Sequence, residues 1–315
     1  PRRRAERALT AVISESYLLG VSTRRVEKLV QSMGIDKFSK SQVSELSKEL
    51  DKSVKAFRER PLSGDFKYVW LDAIVFKCRE DARVANVTGL VATGFNEDGR
   101  REKLGFDVVT TEDGAGWLAF LRGLKTRGLK GVELAISDAH PGLKDAIASV
   151  LCGTTWQRCR VHFARNLLTH VPKSKHAQVA ALLQSIFAQP DAELVRAQYK
   201  LVVERLRAKF SKAADLLSDC ADEILAFLNF PKEHWKQIWS NNPQERLNRE
   251  IRRRSDVVGI FPNRDSIIRL VGSLLCEIND DWSVSRRYLP IAFKVNEGTP
   301  KNLPTGVLME FKKGG

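Results

Sequence analysis

VWLDAIV, residues 69–75, is an apolar run rich in β-forming residues, with a single aspartate at its centre. It lies within a longer β-type run, 68–78, and a second such run, 84–93, follows closely. Turn-forming residues at 94–99 then lead into a third run, 101–109. Because connections this short join neighbouring antiparallel strands, the three runs predict an antiparallel meander.

Further along the chain, strands alternate with helices. A helical pattern over 113–127 is followed by a short buried strand at 132–137, a helix at 141–151 and a fifth strand beginning at 155 and reaching 163. Three antiparallel strands followed by alternating helices and strands are the order of the ribonuclease H-like layout, in which the first and fourth strands are neighbours. The predicted fold class is therefore α/β, a ribonuclease H-like mixed sheet flanked by helices.

Two long helical stretches accompany this sheet. Residues 5–58 have helical periodicity, and the short connection GVST at 20–23 is typical of helix-turn-helix modules, though also of a supporting or dimerisation layer. The stretch from 166 to 239 has no glycine, and we interpret it as an all-helical insertion that lies over a partner, meets a second subunit, or simply covers the sheet. The predicted segments are 1–60 (helical, DNA-binding or dimerisation), 61–170 (first part of the α/β domain), 171–235 (insertion), 236–290 (α/β domain continued) and 291–315 (tail).

The composition restricts the class of partner. A formal net charge of +14 indicates a polyanion, of which nucleic acid is the commonest. No apolar run of 18 residues occurs, and the start PRRR is unlike a secretory signal, so we expect no membrane association. Five scattered cysteines favour a reducing compartment, the cytoplasm. The chain begins without methionine, and we expect a truncated or processed form.

Three acidic residues are candidates for one site. Asp72 interrupts an apolar strand, where an unpaired carboxylate is costly to bury. Asp138 directly follows the fourth predicted strand, at the sheet edge where α/β proteins place their chemistry. Glu245 lies on a helix predicted to start at Asn242, the N-cap, with an arginine-rich face. Each has an ordinary alternative: an ion pair with Lys77, a cap for the next helix, and a capping box, respectively.

If the three carboxylates meet at one edge of the sheet, they can hold two divalent ions about 3.5–4 Å apart. That arrangement serves in-line phosphoryl transfer, in which one ion activates the attacking oxygen and the other stabilises the leaving oxygen. Oxygen ligands favour Mg²⁺ or Mn²⁺ over Zn²⁺. The sequence therefore predicts a two-ion Mg²⁺ (or Mn²⁺) site.

Four longer motifs carry a family resemblance: ISDAHPGLK at 136–144, WQRCRVHF at 156–163, ERLNREIRRR at 245–254 and GIFPN at 259–263. Together they closely resemble the prokaryotic Mutator-like insertion-sequence transposases, from about residue 15 to residue 290. The resemblance implies a DDE transposase with a ribonuclease H-like core and a helical insertion before the glutamate. By motif, the catalytic and metal-binding acids are Asp72, Asp138 and Glu245.

Glu250 is a rival for the third acid. It lies five residues after Glu245, about 140° around the helix, so the two cannot share one site. We favour Glu245 because it begins the family's Glu-x-x-Asn pattern.

The family resemblance also implies a function. Such an enzyme cleaves DNA at the ends of a transposon and joins the freed 3′-hydroxyl to target DNA. The expected partners are double-stranded DNA, as terminal inverted repeats and target, and at least one further copy of the chain, at the bacterial nucleoid. The alternatives are a nuclease without joining and a non-catalytic DNA-binding protein. DNA contacts are predicted for Arg158, Arg160, His162, Arg165, Arg246, Asn248, Arg249, Arg252, Arg253 and Arg254.

A Cys-x-x-His motif, Cys159 and His162, also matches the family. On the predicted strand these residues face opposite sides, so they could not chelate one ion, and a zinc site would need two more ligands. We expect a structural or DNA-contacting role, or else a buried cysteine beside a hydrogen-bonded histidine. His140, next to Asp138, is expected to pack or to touch a phosphate.

Overall fold

The computed structural model describes residues 3–18, 21, 24–33, 40–81, 83–96 and 98–284. The predicted tail at 291–315 and most of the connection at 20–23 lie outside the described residues. No helix of the described part is both long and apolar enough to cross a membrane.

A five-stranded mixed sheet forms the centre of the protein. Its strands are β1 (Phe66–Glu80), β2 (Arg83–Asn96), β3 (Arg101–Val109), β4 (Leu134–Ser137) and β5 (Thr155–Arg158). They lie in the order β3-β2-β1-β4-β5. The pairs β1–β2 and β2–β3 are antiparallel, whereas the pairs β1–β4 and β4–β5 are parallel. The predicted meander and the predicted pairing of the first and fourth strands are confirmed, and with them the ribonuclease H-like layout.

Helices cover the sheet and extend from it. They are α1 (Arg3–Leu18), α2 (Arg24–Met33), α3 (Lys40–Glu59), α4 (Gly114–Thr126), α5 (Pro141–Val150), α6 (Arg160–Leu168), α7 (His176–Phe187), α8 (Ala192–Arg207), α9 (Ser211–Asp219), α10 (Ala221–Leu225), α11 (Trp235–Ile238), α12 (Asn242–Val258) and α13 (Arg264–Val284).

The residues of β1 alternate between two faces, and one face meets two separate cores. Val69 and Leu71 pack against α4 and α5. On the opposite face, Tyr68 and Trp70 pack with the insertion helices. Further along that face, Ile74, Phe76 and Cys78 pack with α1, α12 and α13. Asp72 falls at the junction between those two cores, which is why a polar residue is accommodated within an apolar strand.

The insertion shares a core with the sheet. Val179, Val202 and Trp239 belong to the same apolar cluster as Tyr68 and Trp70. Of the three roles considered for it, covering the sheet is therefore observed, and contact with DNA or a second subunit remains a prediction.

The N-terminal helices are fixed to the rest of the fold by α13. The buried guanidinium of Arg269 contacts Glu15 (2.6 Å) on α1 and Asp51 (2.7 Å) on α3. The backbone N–H of Ala5 donates to Glu277 at 2.8 Å. Any DNA contact by this segment remains a prediction.

Two predicted element boundaries are wrong. The fifth strand ends at Arg158, and Cys159 is the N-cap of α6, so Cys159 and His162 do not lie on a strand. Helix α12 has Asn241, not Asn242, as its N-cap, and no side chain caps it. The capping-box interpretation of Glu245 therefore does not hold.

Candidate active site

Asp72 lies on β1, and Asp138 directly follows the end of the neighbouring strand β4. The parallel register that pairs Trp70 with Ile136 places each aspartate two residues further along. Neighbouring strands are about 4.8 Å apart, so the two residues adjoin at the carboxyl end of β4. The prediction that these two acids meet at one sheet edge agrees with this register.

The Asp72 carboxylate is held by α12. Asn248 Nδ2 donates to Asp72 Oδ2 at 2.6 Å, and the backbone N–H of Ala73 donates to Oδ1 at 3.0 Å. Burial raises the pKa of Asp72 above its ordinary value, and Asp138 adds to the rise, while His162 and the Asn248 hydrogen bond oppose it. The alternative partner, Lys77, is exposed on the opposite face of the strand, so Asp72 is not in an ion pair with it.

Glu245 approaches the same region from α12, one helical turn before Asn248. Its Oε1 is 3.6 Å from Arg165 Nη2. That oxygen is buried and accepts no hydrogen bond, and the same is true of Asn248 Oδ1. Buried oxygens without a donor are costly, so both atoms are suited to a positively charged ligand.

The start of α12 is fixed to the strand that carries Asp72. Trp70 Nε1 donates to the Ser240 carbonyl at 3.1 Å. Asn241 Nδ2 donates to the Leu71 carbonyl at 3.2 Å, and the backbone N–H of Asn241 donates to Cys159 Sγ at 3.2 Å. These contacts set where Glu245 enters the site.

A buried polar network, missed by the sequence reasoning, lies next to this anchor. Thr93 Oγ1 donates to Gln244 Oε1 at 2.7 Å, and Lys103 Nζ donates to Thr93 Oγ1 at 3.0 Å. Lys103 is fully buried, and burial lowers its pKa well below the ordinary value. Lys103 is an inward-facing residue of β3 in the structure, and no sequence pattern marks it as buried.

The Cys-x-x-His motif lies at the start of α6, beside both aspartates. Interaction with the Cys159 side chain raises the pKa of His162 to about 9, opposed by burial and reinforced by Asp138 and Asp72. Cys159 is fully buried. The motif therefore joins the Glu-bearing helix to the acidic edge, with the cysteine contacting Asn241 and the histidine facing the aspartates.

The predicted DNA-contacting arginines divide into exposed and buried groups. Arg158 is buried between Cys220 (3.0 Å) and Glu223 (3.5 Å) of the insertion, and Arg254 is buried against Glu250 (2.8 Å). Burial in these ion pairs disfavours the phosphate contacts predicted for the two arginines, and those contacts stay predictions. Arg160 is partly buried between the rings of Phe187 and Trp239. The exposed members are Arg165, Arg246, Arg249, Arg252 and Arg253.

Glu250, the rival third acid, has a different role. Its carboxylate contacts Arg254 and, at 3.3 Å, Arg253 on the same helix. His140 is the N-cap of α5 without a side-chain cap bond, and its Nδ1 is buried without a hydrogen-bond partner. Neither residue contacts Asp72 through a hydrogen bond.

No three His, Cys, Asp or Glu side chains among the described residues are grouped closely enough to hold a metal ion. The three acids are thus brought to one region without forming a closed ligand cluster, since Glu245 is directed toward Arg165. The donor set itself fits a hard divalent cation: carboxylate oxygens, with an amide oxygen and a glutamate oxygen left without donors.

The family described as "Transposase, Mutator family" matches residues 1–285. The transposase for insertion sequence element IS1081 of Mycobacterium tuberculosis is 57% identical over 289 residues, covering 91% of this chain and 70% of that protein. The transposase of IS256 in transposon Tn4001 of Staphylococcus aureus is 38% identical, covering 90% and 74%.

These similarities show that the chain belongs to the Mutator family of transposases, and the prediction of a DNA transposase is confirmed. Among solved structures, a Drosophila P element transposase strand transfer complex aligns over 90% of this chain and 82% of that chain, with 13% identity and a TM-score of 0.30. The fold assignment rests on the observed strand order rather than on that alignment.

Proposed function

We propose that Asp72, Asp138 and Glu245 form a DDE active site that cleaves DNA at the ends of a transposon and then transfers the 3′-hydroxyl to target DNA. The observation that carries the proposal is the register of β1 and β4: Asp72 and Asp138 each lie two residues beyond the pair Trp70 and Ile136. The helix of Glu245 is hydrogen-bonded to Asp72 through Asn248. The edge of the sheet that carries these acids is acidic and partly buried, although the chain as a whole has a net charge of +14.

The three acids would hold two Mg²⁺ or Mn²⁺ ions. When bound, these ions supply activation of the attacking oxygen and stabilisation of the leaving oxygen in an in-line displacement. The protein's own contribution is to fix the ligands. Trp70, Asn241 and Cys159 hold the start of α12 against β1, and Asn248 orients the Asp72 carboxylate.

DNA would lie along the exposed arginine face beside the acids. Arg249 and Arg252 project from the same side of α12 as Glu245, and Arg165 faces Glu245 from α6. Backbone phosphates satisfy such arginines without reading sequence. Because two transposon ends must be handled together, the active form would be at least a dimer, acting on DNA at the nucleoid.

Cleavage of an end-containing duplex tests this proposal. The wild-type chain with Mg²⁺ should nick the transposon end and leave a 3′-hydroxyl, whereas Asp138→Ala and a reaction in EDTA should not. Both inactive samples should still bind the duplex, because arginine contacts to phosphate do not require the acids. Undiminished cleavage by Asp138→Ala would contradict the assignment of the site.

A further inference from the structure

Strands β1 and β2 continue well past the rest of the sheet. The pairing of β4 with β1 covers residues 68–70 only, and β3 pairs with β2 from Thr88 onward. Residues 76–80 and 83–87 are thus left as a two-stranded ribbon, with Val75 at its base. At about 3.3 Å per residue, the seven steps from Asp72 to Arg79 carry the ribbon roughly 23 Å beyond the candidate acids.

One face of the ribbon is anchored to the protein. Phe76 and Cys78 are buried in the core that includes α1 and α13. The backbone N–H of Phe261 donates to the Lys77 carbonyl at 2.8 Å, and that of Arg79 donates to the Phe261 carbonyl at 2.9 Å. Near the tip, Glu80 forms an ion pair with Arg264. The ribbon is therefore held in a fixed direction.

The opposite face is exposed, and we call it the ribbon face: Val75, Lys77, Arg79, Val84 and Asn86. Cross-strand pairing puts Lys77 beside Asn86 and Arg79 beside Val84. Val75 and Val84 are each 55% exposed, more than any other large apolar side chain in the described ranges. Lys77 and Arg79 form no ion pair with a described carboxylate.

Charge decides which partner fits the ribbon face. Because Lys77 and Arg79 form no ion pair with a described carboxylate, the ribbon face would repel a second copy of itself and attract a polyanion. A two-stranded ribbon has the dimensions to enter the major groove of B-DNA, about 12 Å wide. Lysine and arginine can hold the flanking phosphates, while valine contacts thymine methyl groups or sugars.

We propose that the ribbon face binds the DNA duplex that flanks the reacting phosphodiester. This inference rests on the proposed function, because it takes the reacting phosphate to lie at Asp72 and Asp138. A reach of roughly 23 Å corresponds to about seven base pairs at 3.4 Å per step along a strand. The ribbon face is a second DNA contact, separate from the arginine face of α12.

The test measures how the affinity for DNA depends on salt concentration. Binding of a fluorescently labelled, end-containing duplex is monitored by fluorescence anisotropy at each salt concentration. Removing two phosphate contacts in the double variant Lys77→Gln/Arg79→Gln should lower the slope of log affinity against log salt by about 1.8, which is roughly a 60-fold loss at 0.1 M salt. The matched control Arg122→Gln/Lys125→Gln removes one arginine and one lysine from the exposed side of α4. It should leave the slope nearly unchanged.

A charge-conserving variant and a shortened duplex complete the experiment. Lys77→Arg/Arg79→Lys should bind like wild type. On a duplex ending fewer than about seven base pairs from the reacting phosphate, wild type and the glutamine variant should bind equally. If the glutamine variant matches wild type on the long duplex, the ribbon inference is overturned while the proposed function stands. If the wild type itself shows no salt-dependent binding, both are overturned.

Discussion

Glu245→Ala and Glu250→Ala are the same chemical change made five residues apart on α12, and the structure predicts opposite consequences for them. Glu245 Oε1 accepts no hydrogen bond and lies 3.6 Å from a largely exposed Arg165. Exposed ion pairs contribute at most about 1 kcal/mol. We therefore expect Glu245→Ala to change the free energy of unfolding by less than about 1 kcal/mol.

Glu250→Ala removes a partner of a buried group. The Glu250 carboxylate accepts from Arg254 Nη1 at 2.8 Å, and Arg254 is only 8% exposed. Hydrogen bonds to charged groups contribute about 1.5–3 kcal/mol, and the Glu250 backbone carbonyl, which also accepts from Arg254, offsets part of the loss. The expected destabilisation is about 1–2 kcal/mol, measured by urea denaturation.

The rate of DNA cleavage should rank the two variants in the opposite way from stability, with the larger loss in Glu245→Ala. Loss of an acid that holds a metal costs several kcal/mol of transition-state stabilisation, so Glu245→Ala should cut at least about 10³-fold more slowly, equivalent to about 4 kcal/mol. Glu250→Ala should cut at close to the wild-type rate below its unfolding temperature. If instead Glu250→Ala is inactive and Glu245→Ala cuts normally, the third acid has been assigned to the wrong residue.

Three further predictions follow from particular contacts. Asp72→Asn should raise the free energy of unfolding at pH 7 in EDTA. The reason is that burial raises the pKa of Asp72, so the ionised carboxylate destabilises the fold at that pH. A lower free energy of unfolding for the variant than for wild type would contradict this. Cys159→Ala should lower the free energy of unfolding by about 1–3 kcal/mol, because the Asn241 N–H loses its acceptor. The same change should lower the pKa of His162 from about 9, as measured by NMR. An unchanged pKa of His162 would refute the interaction between Cys159 and His162. Replacing residues 171–235 with a short Gly/Ser linker should give a chain that is aggregated in sedimentation or unfolded by circular dichroism. The reason is that Tyr68 and Trp70 would lose their core partners in the insertion. A soluble, folded product would show that the sheet does not need the insertion to cover it.

The sheet order could be predicted from the sequence because its signals are local. Short turns at 94–99 enforce antiparallel neighbours, and the apolar run ending at Asp138 is too short for anything but a buried strand. Bringing Asp72 beside Asp138 required that the first and fourth strands pair, as they do, and also that they pair in the observed register of Trp70 with Ile136.

Other features depend on residues that are distant in sequence. The change from strand to helix at Cys159 leaves a strand of four residues, too short for its periodicity to mark an end. Arg158 looked like its exposed neighbours because its partner, Glu223, lies in the insertion. Lys103 gave no sign that it would be buried against Thr93, since tertiary packing alone puts α12 over it.

The direction of Glu245 is the remaining difference between expectation and structure. The sequence predicts three acids around metal ions, whereas the described structure brings Asp72 and Asp138 together and pairs Glu245 with Arg165. Orphaned oxygens on Glu245 and Asn248 are the structural reason to expect that this side of α12 takes a cation.

The central claim is that one acidic site both cuts and joins DNA, and joining tests it most directly. The substrate is a pre-cleaved transposon end that already carries its 3′-hydroxyl, incubated with supercoiled target plasmid, Mg²⁺ and either wild type or Glu245→Ala. We predict covalent end–plasmid products with wild type only, and none in EDTA. Wild-type protein that cuts intact ends yet never joins the pre-cleaved end, or joining by Glu245→Ala at the wild-type rate, would contradict the account.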